Sequence, residues 1–150
     1  WTCWNRKNLY SSRSGNVNEK VSPYMVPLLD ELDMFLGFEK VRQLIQYQTI
    51  QIAPLELIRG RNLHRTFMIL DECQNATYEQ LKMFSTRLGI NSKCVLSGDL
   101  KQSDLQFNDL QDYINAIGVL EGYSHTTLDY CDIQRSGFVG RLLNRLENNK

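Results

Sequence analysis

The chain has 150 residues, which suits one domain and lets it bury roughly two-thirds of its unfolded surface. Its 17 basic and 17 acidic side chains cancel, so bulk charge does not indicate a strong nucleic-acid binder and leaves only a local basic patch as a route to one. No apolar run reaches membrane-spanning length, no secretory leader is recognisable, and the four cysteines form no C-x-x-C pair, which argues against zinc.

The first fourteen residues are the least interpretable part of the chain. Residues 1–4 are typical of an apolar edge strand, and residues 5–14 of a polar, basic loop. Aromatic and basic residues alternate here, as in proteins that bind single-stranded nucleic acid, although a frayed terminus fits better. We therefore predict a poorly defined segment over residues 1–14 and one domain over residues 15–150.

Two helices and a short strand are predicted next. Ser22 and Pro23 favour a helix start and Gly37 its end. The apolar face of this first helix consists of Tyr24, Leu28, Leu29, Leu32 and Phe35. A second helix would bury Val41, Leu44 and Ile45. Residues 50–53 alternate like a strand that Pro54 closes. The basic loop Arg59–Arg61 is interpreted as a solvated turn, with contact to phosphate as the alternative.

The most informative stretch runs from Phe67 to Asn75. Four large apolar residues, Phe67–Leu70, predict a strand buried on both faces of a parallel sheet. Asp71 and Glu72 follow at its carboxyl end, where open α/β sheets place their ligand crevice. This is the shape of a Walker B strand, in which Asp71 would reach Mg²⁺ and Glu72 would polarise the attacking water. An acidic turn after an ordinary strand is the alternative.

A β-α-β unit is predicted around these carboxylates. Thr77 and Gln80 form a capping box, and the buried stripe of the following helix is Leu81, Phe84 and Leu88, with Gly89 at its end. The next strand covers residues 93–97. In a right-handed crossover Ile69 and Val95 lie in parallel strands, so Asp71, Glu72 and Asp99 share one sheet edge. Cys73 and Cys94 lie in or beside these strands and are predicted to be free, buried thiols.

Three further elements complete the predicted fold. A helix carries Leu110, Tyr113, Ile114 and Ile117, residues 124–130 are typical of a strand, and a last helix over 138–147 buries Phe138, Leu142, Leu143 and Leu146. Phosphoryl transfer needs a metal, a positioned water and positive charge at the transferred group. Gln102 is a candidate reader of a γ-phosphate, and Arg135 a candidate for stabilising the developing charge, although each also fits a surface residue.

In combination, these motifs closely resemble the PhoH-like family. The residues that carry the resemblance are Leu70–Asn75, Gln80–Phe84, Thr86–Gly89 and Ser97–Gln102 with Asp104–Leu105. Glu19–Tyr24 and Ile52–Arg61 give further support, and the match runs from about Gly15 to Glu147. The resemblance implies a cytoplasmic, in some cases phage-encoded, P-loop ATPase linked to phosphate starvation, with a RecA-like, three-layer α/β fold and a mostly parallel sheet. Its motifs are related to those of superfamily 1 helicases.

What the resemblance implies for the site is specific. It assigns ATP and Mg²⁺ as cofactors, the metal to Asp71, the water to Glu72, γ-phosphate sensing to Gln102, and a finger within or between subunits to Arg135. It also implies single-stranded RNA or DNA as a partner, no membrane, and a ring-shaped homo-oligomer. Arg59 and Arg87 match family arginines without an assigned role.

The sequence also departs from the family pattern. These 150 residues contain no G-x-x-x-x-G-K-[ST] loop, so the amides that bind the β- and γ-phosphates are not among them. Cys73 stands where the family has alanine, and Ser136–Gly137 where it has His-Pro. We expect the carboxyl-terminal part of such an ATPase, with an incomplete amino-terminal part of the fold and impaired catalysis.

Two other functional classes fit the sequence. Asp71 with Asp99 and Lys101 loosely resembles the acidic-plus-D-x-K arrangement of metal-dependent nucleases, which usually place the D-x-K on a neighbouring strand. A non-catalytic nucleic-acid-binding or oligomerisation module would instead use the amino-terminal residues or Arg59–Arg61.

Overall fold

A computed structural model describes the backbone of residues 2–4, 17–104, 109–129, 132–134 and 136–147, and within these ranges the side chains of residues 26–146. The chain divides into two compact units, residues 1–118 and residues 119–150. Among the described residues, the first unit contains a parallel sheet and four α-helices, and the second contains one α-helix.

The sheet has four strands, and every pairing within it is parallel. The strands are β1 (Thr2–Trp4), β2 (Ile52–Pro54), β3 (Phe67–Asp71) and β4 (Lys93–Leu96), in the spatial order β2-β1-β3-β4. The predicted α/β class and parallel sheet are therefore confirmed. The prediction that residues 1–4 form an edge strand is wrong, because β1 pairs with β2 on one side and with β3 on the other.

The β-α-β unit is present as predicted. β3 leads through α3 (Tyr78–Ser85) into β4, and Ile69 is the register partner of Val95. The capping box is also confirmed, since the Gln80 amide donates to Thr77 Oγ1 and the Thr77 amide donates to Gln80 Oε1. Parallel pairing brings the carboxyl ends of β3 and β4 to the same edge of the sheet.

The core lies on one face of this sheet. Met68 and Leu70 of β3 are fully buried against Leu81 and Phe84 of α3 and the apolar side of α4 (Asp109–Ile117). The neighbouring Phe67 is 53 % exposed, so the prediction that β3 is buried on both faces is wrong. Met68 and Leu70 point to the core face, and the alternate side chains of the strand are at least partly in solvent.

α3 and α4 are joined at their amino-terminal ends. The Tyr78 amide donates to the Asp109 carboxylate at 2.9 Å, and the rings of Tyr78 and Tyr113 meet edge to face with centroids 5.5 Å apart. The predicted apolar face of the third helix is confirmed, with Leu110 and Tyr113 buried and Ile114 and Ile117 packed against the core. The two helices therefore pack together over a shared core.

Helix ends differ from the predictions in two places, at the start of α1 and at the end of α3. α1 (Val17–Leu36) begins before the predicted cap at Ser22 and continues through Pro23, where the missing N–H removes one helical hydrogen bond. Gly37 ends it as predicted, with φ +81°, but Phe35 is 78 % exposed. α3 ends at Ser85, before Gly89, so Leu88 is exposed and its backbone instead bridges to Leu63.

The remaining first-unit elements agree more closely. α2 (Phe38–Gln46) buries Val41 as predicted, although Ile45 is exposed, and β2 extends to include Pro54. Leu55–Ile58 forms a 3₁₀ turn that buries Leu55 and Ile58. Within the described ranges no helix is both long and apolar enough to cross a membrane.

The second unit contains α5 (Gly137–Glu147), which confirms the predicted last helix. Its apolar residues Phe138, Leu142, Leu143 and Leu146 are exposed, contrary to prediction. The predicted strand over residues 124–130 is wrong for residues 124–129, which are irregular and exposed, and Tyr130 lies outside the described residues. Threonine and aromatic residues favour a strand only where another strand supplies hydrogen bonds.

Candidate functional site

The acid pair lies where β3 ends. Asp71 is the last residue of the strand and its side chain is exposed. Glu72 adopts the left-handed conformation, φ 54° and ψ 37°, which is uncommon for a residue with a side chain. The chain therefore leaves the strand abruptly and enters a 3₁₀ turn over Cys73–Asn75. Both carboxylates stay at the sheet edge that the sequence predicted.

The end of β4 is held beside this turn by backbone hydrogen bonds. The Ser97 amide donates to the Leu70 carbonyl, and the Cys73 amide donates to the Ser97 carbonyl, each at 2.9 Å. Gly98 follows, and a Cβ atom built there would lie 2.6 Å from Gln74 Oε1 and 2.8 Å from Cys73 Sγ. Because real Cβ atoms do not approach other atoms this closely, the contact between the two loops requires glycine at this position.

Gln74 connects the two loops through its side chain. It is 2 % exposed, its Nε2 donates to Glu72 Oε2 at 2.7 Å, and its Oε1 accepts from the Asp99 amide at 3.1 Å. The Gln74 carbonyl also accepts from Ser103 Oγ at 3.1 Å. Glu72 and Asp99 are thus joined by one buried amide group.

Gln102 lies on the same edge, in the turn that follows Asp99. This 3₁₀ turn, Leu100–Gln102, is capped by Asp99, whose Oδ1 accepts from the Lys101 amide at 2.9 Å. Asp99 Oδ2 accepts from Gln102 Nε2 at 2.8 Å. The structure therefore links Glu72 to Asp99 through Gln74, and Asp99 to Gln102, in one series of hydrogen bonds.

Asn75 adds a further tie between the two loops. Its Oδ1 accepts from the Asp104 amide at 2.9 Å. Reasoning from the sequence missed Gln74 and Asn75, which entered only as letters in a motif. The available signal was the pair of amide side chains directly after a strand-end acid pair, since such side chains can donate and accept at once.

The other predicted residues are placed as follows. Arg135 lies outside the described residues. Arg59 is exposed at the end of the Leu55–Ile58 turn. The Arg87 guanidinium donates to the Met83 carbonyl and to Thr86 Oγ1, each at 3.2 Å, so it is engaged at the end of its own helix.

The donor set at this edge fits a magnesium–nucleotide complex. Mg²⁺ prefers oxygen ligands and is usually held by one or two carboxylates together with water and phosphate oxygens. Among the described residues, no hydrogen bond is made to the Asp71 carboxylate. The same part of the chain contains no group of three His, Cys, Asp or Glu residues that could hold an ion without other ligands.

Cys73 and Cys94 are free thiols, as predicted, but only Cys73 is also buried as predicted, whereas Cys94 is half-buried. Burial raises the pKa of the Cys73 thiol to about 12, and the nearby carboxylates of Asp71 and Glu72 add to this effect. Burial likewise raises the pKa of Cys94 to about 11. Both groups stay protonated at neutral pH, so neither can act as a nucleophile there.

This protonation predicts slow alkylation and a loss of stability in alkali. At pH 8 we expect iodoacetamide to modify Cys73 and Cys94 at least about a hundredfold more slowly in the folded chain than in urea, measured peptide by peptide by mass spectrometry. Because the folded state raises both pKa values from 9.0, their contribution to stability is complete below pH 9 and is lost as the pH rises towards 11 and 12. Equal alkylation rates in the two states would contradict this assignment.

The chain is similar to known proteins along most of its length. A family model described as "PhoH-like protein" matches residues 7–147. A "PhoH-like protein" of Synechocystis sp. is 38 % identical over 139 residues, which cover 91 % of this chain and 42 % of the relative. The "PhoH-like protein" of Bacillus subtilis is 40 % identical over 132 residues, covering 86 % and 41 %. "Protein PhoH" of Escherichia coli is 40 % identical over 93 residues, covering 61 % and 26 %. The chain thus spans about two-fifths of the length of the first two relatives.

Proposed function

The chain belongs to the PhoH-like family of P-loop NTPases, and from this premise we propose that its strand-end carboxylates form the magnesium-binding and water-activating edge of an ATP-hydrolysing site. Asp71 holds Mg²⁺ directly or through water, and Glu72 orients and polarises the attacking water. Gln102 reads the γ-phosphate. When bound, Mg²⁺ neutralises charge on the phosphate oxygens.

One observation carries this proposal. Two loops that are 25 residues apart in sequence meet at the carboxyl edge of a parallel sheet, and the buried Gln74 amide joins Glu72 of one to Asp99 of the other. A site that has to align a water with a phosphate needs this kind of fixed geometry. A solvated acidic turn does not require a buried amide that links it to a second loop, because water can satisfy its carboxylates.

The remaining parts of the proposal concern the intact family architecture. The phosphate-binding loop is not among these 150 residues, and the chain covers 42 % of its Synechocystis relative. Arg135 supplies positive charge to the transferred phosphate within one subunit or across a ring-shaped homo-oligomer. Location in the cytoplasm, a link to phosphate starvation and helicase-like coupling to RNA belong to the same proposal.

Binding of a metal–nucleotide complex tests the proposed site. We expect Mn²⁺·ATP, used because Mn²⁺ takes the same oxygen ligands and broadens nearby NMR signals, to broaden the amide signals of residues 71–74 and 98–102. Asp71→Asn should weaken this effect at least about tenfold, because it removes a charged oxygen ligand. The matched control is Glu39→Gln on α2, which should leave the titration unchanged. Broadening of the same signals that is equally strong in Asp71→Asn would refute the metal role of Asp71.

Turnover by this chain alone is expected to be negligible. Without the amides and lysine of a phosphate-binding loop, the β- and γ-phosphates lack most of their stabilising contacts. Phosphate release from ATP and Mg²⁺ should therefore stay at the level seen with Glu72→Gln. Activity well above that variant would contradict the impairment, while supporting the role of Glu72.

Binding of single-stranded nucleic acid is a second candidate function, favoured by a local charge pattern. Residues 57–70 and 80–98 contain no acidic residue, and their basic residues are Arg59, Arg61, Arg65, Lys82, Arg87 and Lys93. Backbone hydrogen bonds from Leu63 to Arg87 and from Arg65 to Ile90 join these stretches. Salt-sensitive RNA binding that nucleotide does not alter would favour a non-catalytic module. The nuclease alternative is less well supported, because Asp99 and Lys101 lie in a turn and not on a strand.

A further inference from the structure

We propose that Gln74 is a positioning residue that couples Glu72 to the Asp99–Gln102 turn, so that a change in the contacts of Gln102 alters the placement of the Glu72 carboxylate. Its catalytic meaning rests on the proposed ATP-hydrolysing function. The coupling itself is a property of the protein without nucleotide, and it can be measured in that state.

Burial makes the Gln74 side chain an unusual group in this fold. In the part of the chain whose side chains are described, it is the one polar residue that is buried, with 2 % of its surface exposed. Its Nε2 donates a hydrogen bond to Glu72 Oε2, and its Oε1 accepts one from the Asp99 backbone amide. A buried polar group persists in a core only when such partners satisfy it.

The chemistry of its partners fixes the direction of the Gln74 amide. The Asp99 backbone N–H can only donate, and an ionised Glu72 carboxylate can only accept. Turning the amide over would set donor against donor and acceptor against acceptor. Only one orientation of the Gln74 amide therefore makes both hydrogen bonds, and loss of either partner leaves one of its polar atoms without that bond.

Asp99 extends this link to Gln102. The Asp99 backbone is held by Gln74, while its carboxylate accepts from Gln102 Nε2 at 2.8 Å. If Gln102 Nε2 donated its hydrogen bond to a phosphate oxygen instead, the Asp99 carboxylate would lose that bond. Because the backbone bonds between Cys73 and Ser97 and the close contact at Gly98 hold the loops together, such a change reaches Glu72 through Gln74.

A double-mutant comparison by NMR tests the coupling in the full 150-residue chain. Glu72→Ala removes the acceptor of Gln74 but does not touch Asp99 or Gln102. We expect it to shift the Gln102 side-chain amide signals and to speed hydrogen exchange of the Asp99 amide about threefold, while Gln74→Met speeds that exchange about tenfold. In the Gln74→Met background, adding Glu72→Ala should change neither signal. If Gln74 only stabilised the fold, Glu72→Ala would change the Asp99 and Gln102 signals by the same amount with and without Gln74.

Two further variants keep the test decisive. Gln43→Met on the exposed side of α2 is the matched control and should leave the Asp99 and Gln102 signals unchanged. If Gln74→Met does not fold by circular dichroism, Gln74→Glu replaces it, since that variant keeps the acceptor for Asp99 and sets two carboxylates against each other. It should preserve slow Asp99 exchange, and adding Glu72→Ala should then slow that exchange instead of speeding it, because the change removes a repulsion and not a hydrogen bond.

The coupling is overturned if Glu72→Ala leaves the Gln102 and Asp99 signals unchanged, or if it changes them equally with and without Gln74. This outcome is separable from failure of the proposed function. The NMR comparison uses no nucleotide, whereas the Mn²⁺·ATP titration reports on Asp71 whatever the state of Gln74.

Discussion

Replacing Gly98 by alanine is expected to lower the free energy of unfolding by about 2–4 kcal/mol, combining the cost of overpacking with loss of a buried hydrogen bond. The new Cβ would lie 2.6 Å from Gln74 Oε1, 2.8 Å from Cys73 Sγ and 3.1 Å from the backbone nitrogen of Gln74. The Gln74 side chain cannot retreat without losing its bonds to Glu72 and Asp99. Urea denaturation followed by circular dichroism measures the loss.

The same substitution where space is available provides the control. Gly140 lies within α5 and has no atom within 4 Å of a built Cβ. Gly140→Ala should be neutral or stabilise by up to about 1 kcal/mol, because alanine favours a helix more than glycine does. Adding Cys73→Ala to Gly98→Ala should restore part of the loss, since it removes one of the three close contacts. Equal stability of Gly98→Ala and the wild type would show that the loops do not need this contact.

Replacing Phe84 by alanine is expected to cost about 3–5 kcal/mol, the range for removing a buried aromatic side chain. Phe84 is fully buried on α3 and belongs to the cluster that includes Met68 and Leu70 of β3. A small domain is stable by only about 5–15 kcal/mol, so this one change removes a large share of the total. Thermal and urea denaturation of the same samples measure it.

Phe35→Ala is the matched control for Phe84→Ala. Phe35 is also helical but is 78 % exposed, so its loss should change stability by no more than about 0.5 kcal/mol. Similar costs for the two variants would mean that α3 does not pack on β3 as described. The comparison also matters for the site, because α3 begins directly after the turn that carries Gln74.

Much of the fold could be predicted because its signals are local. The capping box depends on Thr77 and Gln80, three residues apart, and the parallel register of Ile69 and Val95 follows from a β-α-β unit of about thirty residues. The helix with Leu110 and Tyr113 at helical spacing was predictable for the same reason. Apart from two misplaced helix ends, most of the errors concern contacts with distant elements, as at β1, at Phe67 and over residues 124–129.

The candidate site divides in the same way. Asp71, Glu72 and Gln102 stood out as residue types next to strand ends, and their assignment to metal, water and phosphate stays a proposal. Gln74 has no local signal of burial, because a glutamine in a turn is usually solvated. Its role depends on Asp99, which is 25 residues away.

The sequence by itself determined the α/β architecture, the β3-α3-β4 unit and the edge at which the acid pair lies, because residues a few positions apart carry those signals. The tertiary structure alone decided that β1 is an inner strand, that Gly98 has no room for a side chain, and that one buried amide joins Glu72 to Asp99. These features depend on which surfaces meet after the chain folds, and hydrogen bonds and close contacts between distant segments leave no periodic pattern in the residues that make them.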